Sequence, residues 1–224
     1  MPETKQATSA NVAIKPAGDP RLTVYVVEDD LLDRDFLTLF LGRRGYQVQC
    51  FPSAETFLSS IGPDAAGCVL ADFRLTGMTG TELVAEAQRR GVEMPFVISS
   101  AYGDINIVRQ AFHNGAIDFL EKPVDVNLLF SLIDKSFVLD AARLDRASRT
   151  AQRDSLLEPL TDREKEVAVL ACQGISNRDI ALQLNISHRT VEAHKSRVID
   201  KLGARTSADL IRMSSLIEAP RRSD

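Results

Sequence analysis

Five side chains have the types and the spacing for phosphate chemistry: Glu28, Asp29, Asp72, Ser100 and Lys122. Three carboxylates gathered at one place repel one another unless a cation binds. Oxygen-only donors suit Mg²⁺, which takes a few protein carboxylates and otherwise keeps water or a substrate phosphate. Such a cation also brings an anionic phosphoryl donor up to a carboxylate that would otherwise repel it. Asp72 ends the run Cys68-Val69-Leu70-Ala71-Asp72 and is the residue placed to accept a phosphoryl group. The Ser100 hydroxyl can bond a phosphoryl oxygen, and Lys122 can pair with the same group as a mobile point charge. Taken singly these residues say little: a lone strand-end Asp more often caps a helix, and Lys-Pro is usually a turn. Their joint order on one scaffold carries the argument.

That scaffold alternates short apolar runs with amphipathic stretches. Strands are expected at Thr23–Val27, Gln47–Phe51, Cys68–Ala71, Phe96–Ser99 and Ile117–Leu120, and helices at Leu31–Arg43, Ser53–Ser60, Gly80–Arg90 and Ile105–Asn114. Turn residues stand at nearly every junction: Gly45, Gly62-Pro63, Gly91, Pro95, Gly103 and Gly115. Strands alternating with helices of about ten residues imply βαβ crossovers and a parallel sheet. Five of them suggest an α/β, doubly wound, flavodoxin-like order, with chemistry beyond the carboxyl ends of the strands. All five chemical residues fall at such ends.

Between Pro123 and Pro159 there is no Gly or Pro, and Leu129, Ile133, Phe137, Ala141 and Leu144 recur at helical spacing. Past Leu144 the apolar face thins while Arg and Asp multiply, and Asp145 can pair with Arg149 at i,i+4. The expectation is one helix that closes the sheet domain and continues as a solvated linker; the alternative is a helix ending near Ala142 with a flexible tail. From Leu160 helix starts recur. Thr161-Asp-Arg-Glu164 is a capping box, and Ser176, Ser187 and Thr206 can each cap the helix that follows. Gly174 and Gly203 suit helix C-termini. Four short helices are expected, near 162–173, 177–184, 188–202 and 207–217, with the tight turn Leu184–Ile186 of a helix-turn-helix. The division is then a tail (1–20), a sheet domain (21–142), a helical linker (143–158), a four-helix, all-α domain (159–218) and a short tail (219–224).

Composition fits ordinary globular domains, with 44% hydrophobic and 26% charged residues. The net charge of −4 is uneven: residues 159–224 carry +2 and the remainder −6. Within Ser187–Arg205 five basic residues face two acidic ones, a mild basic stripe. Cys50, Cys68 and Cys172 are odd in number, widely spaced and in apolar or helical contexts, the usage of a reducing cytoplasm rather than a disulfide framework. No run of about 18 apolar residues crosses a membrane. The polar first twenty residues predict a loose tail with no signal peptide.

Val-Val-Glu28-Asp29, Asp72, Ser100-Ala101 and Glu121-Lys122-Pro123 resemble the receiver domain of two-component response regulators over about Arg21–Ala142. The intervals of 43, 28 and 22 residues between Asp29, Asp72, Ser100 and Lys122 are those typical of that family. The resemblance implies that Glu28, Asp29 and Asp72 hold Mg²⁺, Asp72 is phosphorylated, Ser100 is a switch hydroxyl and Phe119 the switch aromatic. It also implies a frequent cis bond at Lys122-Pro123. Asp30 matches no ligand of the pattern. Leu75-Thr76 stands where receivers commonly have Met-Pro, Ser100 replaces the commoner Thr, and Tyr102 stands where related proteins often have His.

Leu160-Thr-Asp-Arg-Glu-Lys-Glu-Val, Gly174-Ile-Ser-Asn-Arg-Asp-Ile-Ala and Ile186-Ser-His-Arg-Thr-Val-Glu-Ala-His-Lys resemble the LuxR-type helix-turn-helix over about Leu160–Met213. With the receiver, this is similar to the FixJ/NarL class of transcription factors. Helical periodicity turns Val191, Val198, Ile199 and Leu202 to the core, with Arg189, Thr190, Glu192, Ala193, Lys195, Ser196 and Arg197 on or beside the opposite face. The resemblance puts the N-terminal half of this helix in the major groove. Glu192 would accept from a cytosine amine and Ala193 touch a thymine methyl, while Lys195, Arg197 and Lys201 bind phosphates. His194 reads as a packed, hydrogen-bonded residue instead of a base reader.

The expected protein is a cytoplasmic, phosphorylation-dependent DNA-binding regulator fed by a histidine kinase. Phosphorylation would bury Phe119, alter the face formed by the fourth helix, fifth strand and last helix of the receiver, and drive homodimerisation on promoter DNA. RNA polymerase is a candidate further partner. An enzyme of the Asp-nucleophile phosphotransferase type would need a second acid two residues after Asp72, where Arg74 stands, or a cap insertion, which is missing. A constitutive DNA binder whose receiver only dimerises is the other reading, and insensitivity of DNA binding to phosphorylation would favour it.

Overall fold

The structure, a computed structural model, describes residues 23–101, 105–204, 206–213 and 217. The two expected tails, Gly103, Tyr102 and Arg205 therefore lie outside the described residues. The chain divides into two compact units between Ala142 and Arg143.

In the first unit the elements are β1 (Thr23–Val27), α1 (Leu31–Arg43), β2 (Gln47–Phe51), α2 (Ala54–Ser60), β3 (Cys68–Asp72), α3 (Gly80–Arg89), β4 (Phe96–Ser100), α4 (Ile105–His113), β5 (Asp118–Glu121) and the start of α5 (Val126–Leu157). The strands form one parallel sheet in the order β2-β1-β3-β4-β5. β1, β3 and β4 are buried at every position, which explains why they read as continuous apolar runs and not as alternation. The period of two is still visible in what each side chain meets. Tyr25, Val27, Val69, Ala71, Phe96 and Ile98 pack with Phe57, Leu83 and Ala111 on one face. Val24, Val26, Leu70 and Val97 pack with Leu37, Leu41, Leu129, Ile133 and Phe137 on the other.

β3 and β4 each run one residue further than the sequence suggests, because Asp72 pairs with Ser99 and Ser100 with Glu121 in the ladder. β5 starts one residue late. The Ile117 N–H instead bonds the Phe96 carbonyl at 2.8 Å. Cys50 is exposed on the edge strand β2, unlike Cys68 and Cys172, which are buried. After β3 the chain turns tightly into α3: a Cβ on Gly80 would meet the Asp72 carbonyl at 2.3 Å. Thr79 and Glu82 form a capping box at that helix start.

α5 is one continuous helix of 32 residues, so it does not end near Ala142. Leu129, Ile133 and Phe137 are buried in the first core, whereas Ala141 is exposed and Leu144 only half-buried. In the second unit follow α6 (Asp162–Cys172), α7 (Asn177–Leu184), α8 (His188–Leu202) and α9 (Ser207–Arg212). The expected reach of the last helix to 217 crosses residues outside the described set. Thr161, Ser176 and Ser187 cap the three helices that follow them. Between α7 and α8, Asn185 takes a left-handed conformation at φ 52° and closes α7, a position where Asn is tolerated almost as Gly is. Val167, Ala168, Ala171, Ile180, Val191, Val198 and Leu210 form the core of this unit.

Candidate functional site

β1 and β3 are neighbours in a parallel sheet, so the residues that follow them share one edge. Glu28 comes directly after β1 and is 2% exposed; Asp72 ends β3 and is 7% exposed. β5 lies two strands away, and Lys122 follows it. The Lys122 ammonium reaches back to donate to Asp72 Oδ1 at 2.7 Å, Glu28 Oε2 at 2.8 Å and Asp33 Oδ2 at 2.8 Å. The Arg74 N–H donates to the other Asp72 oxygen, Oδ2, at 2.6 Å. Lys122 and Pro123 are joined by a cis bond, and the Lys122 N–H bonds the Ser100 carbonyl at 2.8 Å. Ser100 is buried at the end of β4 beside these groups. Phe119 is partly buried against the core on the α2–α4 side.

Burial pushes the Glu28 carboxyl above its ordinary range, the Asp72 charge adds to the rise, and the bond from Lys122 opposes it. Partial burial works against the charge on Lys122. Its bonds to Asp33, Asp72 and Glu28 win, and its ammonium is held well above the usual lysine range. One cation shared among three acids cannot fully satisfy each of them, so Glu28 stays strained while Lys122 is locked on.

Asp29 is exposed and accepts a hydrogen bond from the Thr76 hydroxyl at 2.8 Å. Asp30 is explained as a helix cap: its carboxylate accepts from the Leu32 and Asp33 N–H groups at 2.8 and 3.1 Å. Among the described residues no group of three or more His, Cys, Asp or Glu side chains is arranged to hold a metal ion. The donors nevertheless fit a hard cation in kind, since two carboxylates from different strand ends already converge on a single positive charge. Sequence reasoning missed two residues. Asp33 sits in the first turn of α1, a helix that starts at the same sheet edge, and no local signal separates it from the acids that helix starts ordinarily carry. Thr76, read as a departure from the family pattern, supplies a hydroxyl where proline would supply none.

On α8, Val191 and Val198 are fully buried, with Ile199 and Leu202 packed beside them. Arg189, Glu192, Ala193, Ser196, Arg197 and Lys201 are exposed, and Thr190 and Lys195 are half-buried. Several of these side chains have partners within the unit. Thr190 shares a 2.7 Å hydroxyl contact with Ser187 at the helix cap, Lys195 donates to Asn177 Oδ1 at 2.9 Å, and Lys201 donates to Glu164 Oε2 at 2.7 Å. His194 is half-buried as expected, but its buried Nδ1 has no hydrogen-bond partner among the described residues.

Glu164 is 3% exposed. The Lys201 bond, helped by the Thr161 N–H, pulls its carboxyl down to about 2 from an ordinary 4.5. A carboxyl lowered on folding gives support that is complete above its unfolded value and drains away as pH falls through the folded one. Helical circular dichroism of the second unit is therefore expected to weaken between pH of about 4.5 and 2. In Lys201→Met the unit should be less stable already at neutral pH, and this acid-driven loss should shrink, because the main cause of the lowering is gone. An acid profile identical in the variant would remove this pair from the account.

The model for the response regulator receiver domain matches residues 24–134, and that for bacterial regulatory proteins of the luxR family matches residues 158–214. The transcriptional regulatory protein TdiR of Thauera aromatica is 36% identical over 189 residues, spanning 84% of this chain and 83% of its own. The transcriptional regulatory protein FixJ of Azorhizobium caulinodans is 32% identical over 195 residues, spanning 87% and 92%. Among solved structures, the response regulator StyR superposes with a TM-score of 0.70 at 35% identity, over 86% of this chain and 98% of that one. Among the described residues no helix is long and apolar enough to cross a membrane. Receiver and LuxR-type unit imply a histidine kinase on one side and DNA on the other. The chain belongs to the FixJ/NarL-type two-component response regulators, transcriptional regulators and not enzymes, in which a receiver domain is joined to a LuxR-type DNA-binding domain.

Proposed function

We propose that Asp72 takes a phosphoryl group from a phosphohistidine of the partner kinase and that this event controls promoter binding. In the transfer an Asp72 carboxylate oxygen forms the new O–P bond, the N–P bond of the donor breaks, and the electron pair stays on the departing imidazole. Glu28, Asp29 and Asp72 would hold Mg²⁺, which when bound would supply positive charge against the phosphoryl oxygens. Thr76 orients Asp29 for that task. Lys122 stays beside the Asp72 oxygen and pairs with the added charge, and the Ser100 hydroxyl donates to it. The observation that supports this reading best is the Lys122 ammonium, 2.7 Å from Asp72 and 2.8 Å from Glu28 at the carboxyl edge of the sheet.

Drawing Ser100 and Lys122 toward the phosphoryl group lets Phe119 bury more deeply and reshapes the face made by α4, β5 and α5. Ile105, Phe112, Leu128, Val138 and Leu139 are exposed on α4 and α5, apolar area that supports homodimerisation there. A dimer presents two reading helices at once, so the second contact becomes effectively intramolecular. Arg189, Thr190, Glu192, Ala193 and Ser196 lie nearest the bases, and Lys195 and Arg197 bind phosphates. The promoter complex then engages RNA polymerase in the cytoplasm. Lys201, exposed at the end of α8, binds a phosphate too, with its bond to Glu164 fixing where the ammonium stands.

The test is incubation with Mg²⁺ and acetyl phosphate. An alkali-labile acyl phosphate should form and tighten binding to selected promoter DNA; absence of the phosphoprotein contradicts the reading. Arg197→Ala is expected to weaken binding to all sequences alike and to lower the salt slope of log K by about 1. A sequence-selective loss would instead make Arg197 a base reader.

A further inference from the structure

Asp33 is the unexpected member of the ion cluster. It comes from α1, not from a strand end, and its side chain is 50% exposed, against 9% for Asp72 and 3% for Glu28. It nevertheless approaches Lys122 as closely as Glu28 does, at 2.8 Å. Lys122 therefore has two kinds of partner: buried acids at the phosphoryl-accepting edge, and one acid at the surface. A cavity of about 270 Å³ opens alongside, bounded by Asp33, Phe36, Leu37, Lys122 and Pro123. Water has access to the outer pair, so Asp33 can give up the ammonium without being left as a buried, unpaired charge. The buried acids cannot do so at comparable cost.

We infer that Asp33 is a positioning residue that takes a share of the Lys122 ammonium and competes for it with the phosphoryl group on Asp72. The inference rests on the assignment of Asp72 as phosphoacceptor. A bond made in the unmodified state and given up in the phosphorylated one opposes phosphorylation by its own strength. By linkage, removing it must raise affinity for the phosphoryl group or its mimic. The acid sets a threshold: the kinase must supply enough driving force to pull Lys122 from α1, and spontaneous occupancy by weak donors is held down.

The experiment is titration of the full chain with beryllofluoride at saturating Mg²⁺, followed by ¹⁹F resonance of the bound fluoride and by calorimetry. Wild type, Asp33→Asn, Asp33→Glu and Asp35→Asn are compared. Asp35, exposed on the same helix, controls for the general effect of removing one negative charge. Asp33→Asn should bind the mimic about 2- to 5-fold more tightly than wild type, the range of a solvent-reachable ion pair. Asp33→Glu should fall back toward wild type and Asp35→Asn should match it. Damage to the fold would weaken binding, so a gain cannot arise from a merely structural role. Unchanged or weaker binding in Asp33→Asn, or an equal gain in Asp35→Asn, overturns the inference. Failure of wild type to bind the mimic at all strikes the phosphoacceptor assignment instead.

Discussion

Asp72→Asn is expected to yield no phosphorylated species after incubation with Mg²⁺ and acetyl phosphate, under conditions where wild type converts largely to a form retarded on a phosphate-affinity gel. The expected effect is all-or-none, because the amide oxygen is a poor nucleophile and one of the carboxylates that recruit the cation is lost. The fold should survive. Asn is isosteric, its amide oxygen can still accept from the Arg74 N–H at the 2.6 Å contact, and Lys122 keeps Glu28 and Asp33. Removing a charge from a crowded acidic cluster should, if anything, raise the melting temperature of the first unit. A phosphorylated Asp72→Asn protein would move the acceptor elsewhere, and an unfolded one would make Asp72 a structural residue.

Lys122→Met should separate stability from signalling. Its removal strands Glu28 and Asp72, both buried, without their shared cation, and breaking such a pair costs about 3 kcal/mol, the low end of the range for buried pairs. The low end applies because Glu28, whose carboxyl is already raised, can take up a proton. The sign follows from linkage. An acid whose folded value lies above its unfolded one stabilises the fold most below its unfolded value and loses that contribution as pH rises through the folded one. Without Lys122 the rise is larger, so the melting temperature of Lys122→Met should fall more steeply than that of wild type as pH climbs above the ordinary carboxyl value of 4.5. Mg²⁺ should restore much of the loss, replacing one cation by another. A variant with wild-type stability at neutral pH and no response to Mg²⁺ would contradict the role given to Lys122. Even when stabilised by Mg²⁺, Lys122→Met should not couple phosphorylation to DNA binding.

Most of the receiver scaffold is written in local chemistry. Cys68–Asp72 is apolar up to its final acid, and Gly or Pro punctuates the connections, so a parallel sheet and its reactive edge follow from the order of residues alone. Glu28, Asp72 and Lys122 were legible for the same reason: each stands at or just past the end of a strand, and a parallel sheet gathers its strand ends. Asp33 was not, because a helix's first turn normally carries acids for the sake of the helix dipole, and nothing local distinguishes an acid that also reaches a lysine 89 residues away. The continuity of α5 was open on paper. Its apolar face thins after Leu144, and helix-forming composition with i,i+4 pairs such as Asp145–Arg149 keeps it helical without burial. On α8 the buried side, Val191 and Val198, followed from periodicity. The partners of Lys195 and Lys201 did not, because they depend on how α6 and α7 pack against that helix, at Glu164 and Asn177. A basic residue's charge can be read from sequence, but whether a neighbouring acid has already claimed it cannot.

The central claim is that chemistry at Asp72 governs assembly on DNA. Sedimentation velocity of wild type and Asp72→Asn, with selected promoter DNA and with or without Mg²⁺ plus beryllofluoride, tests it most directly. The account predicts that only wild type, and only with the mimic, moves from monomer to dimer and binds DNA more tightly. If both proteins sediment and bind alike in every condition, the receiver is a scaffold and the phosphorylation switch is wrong.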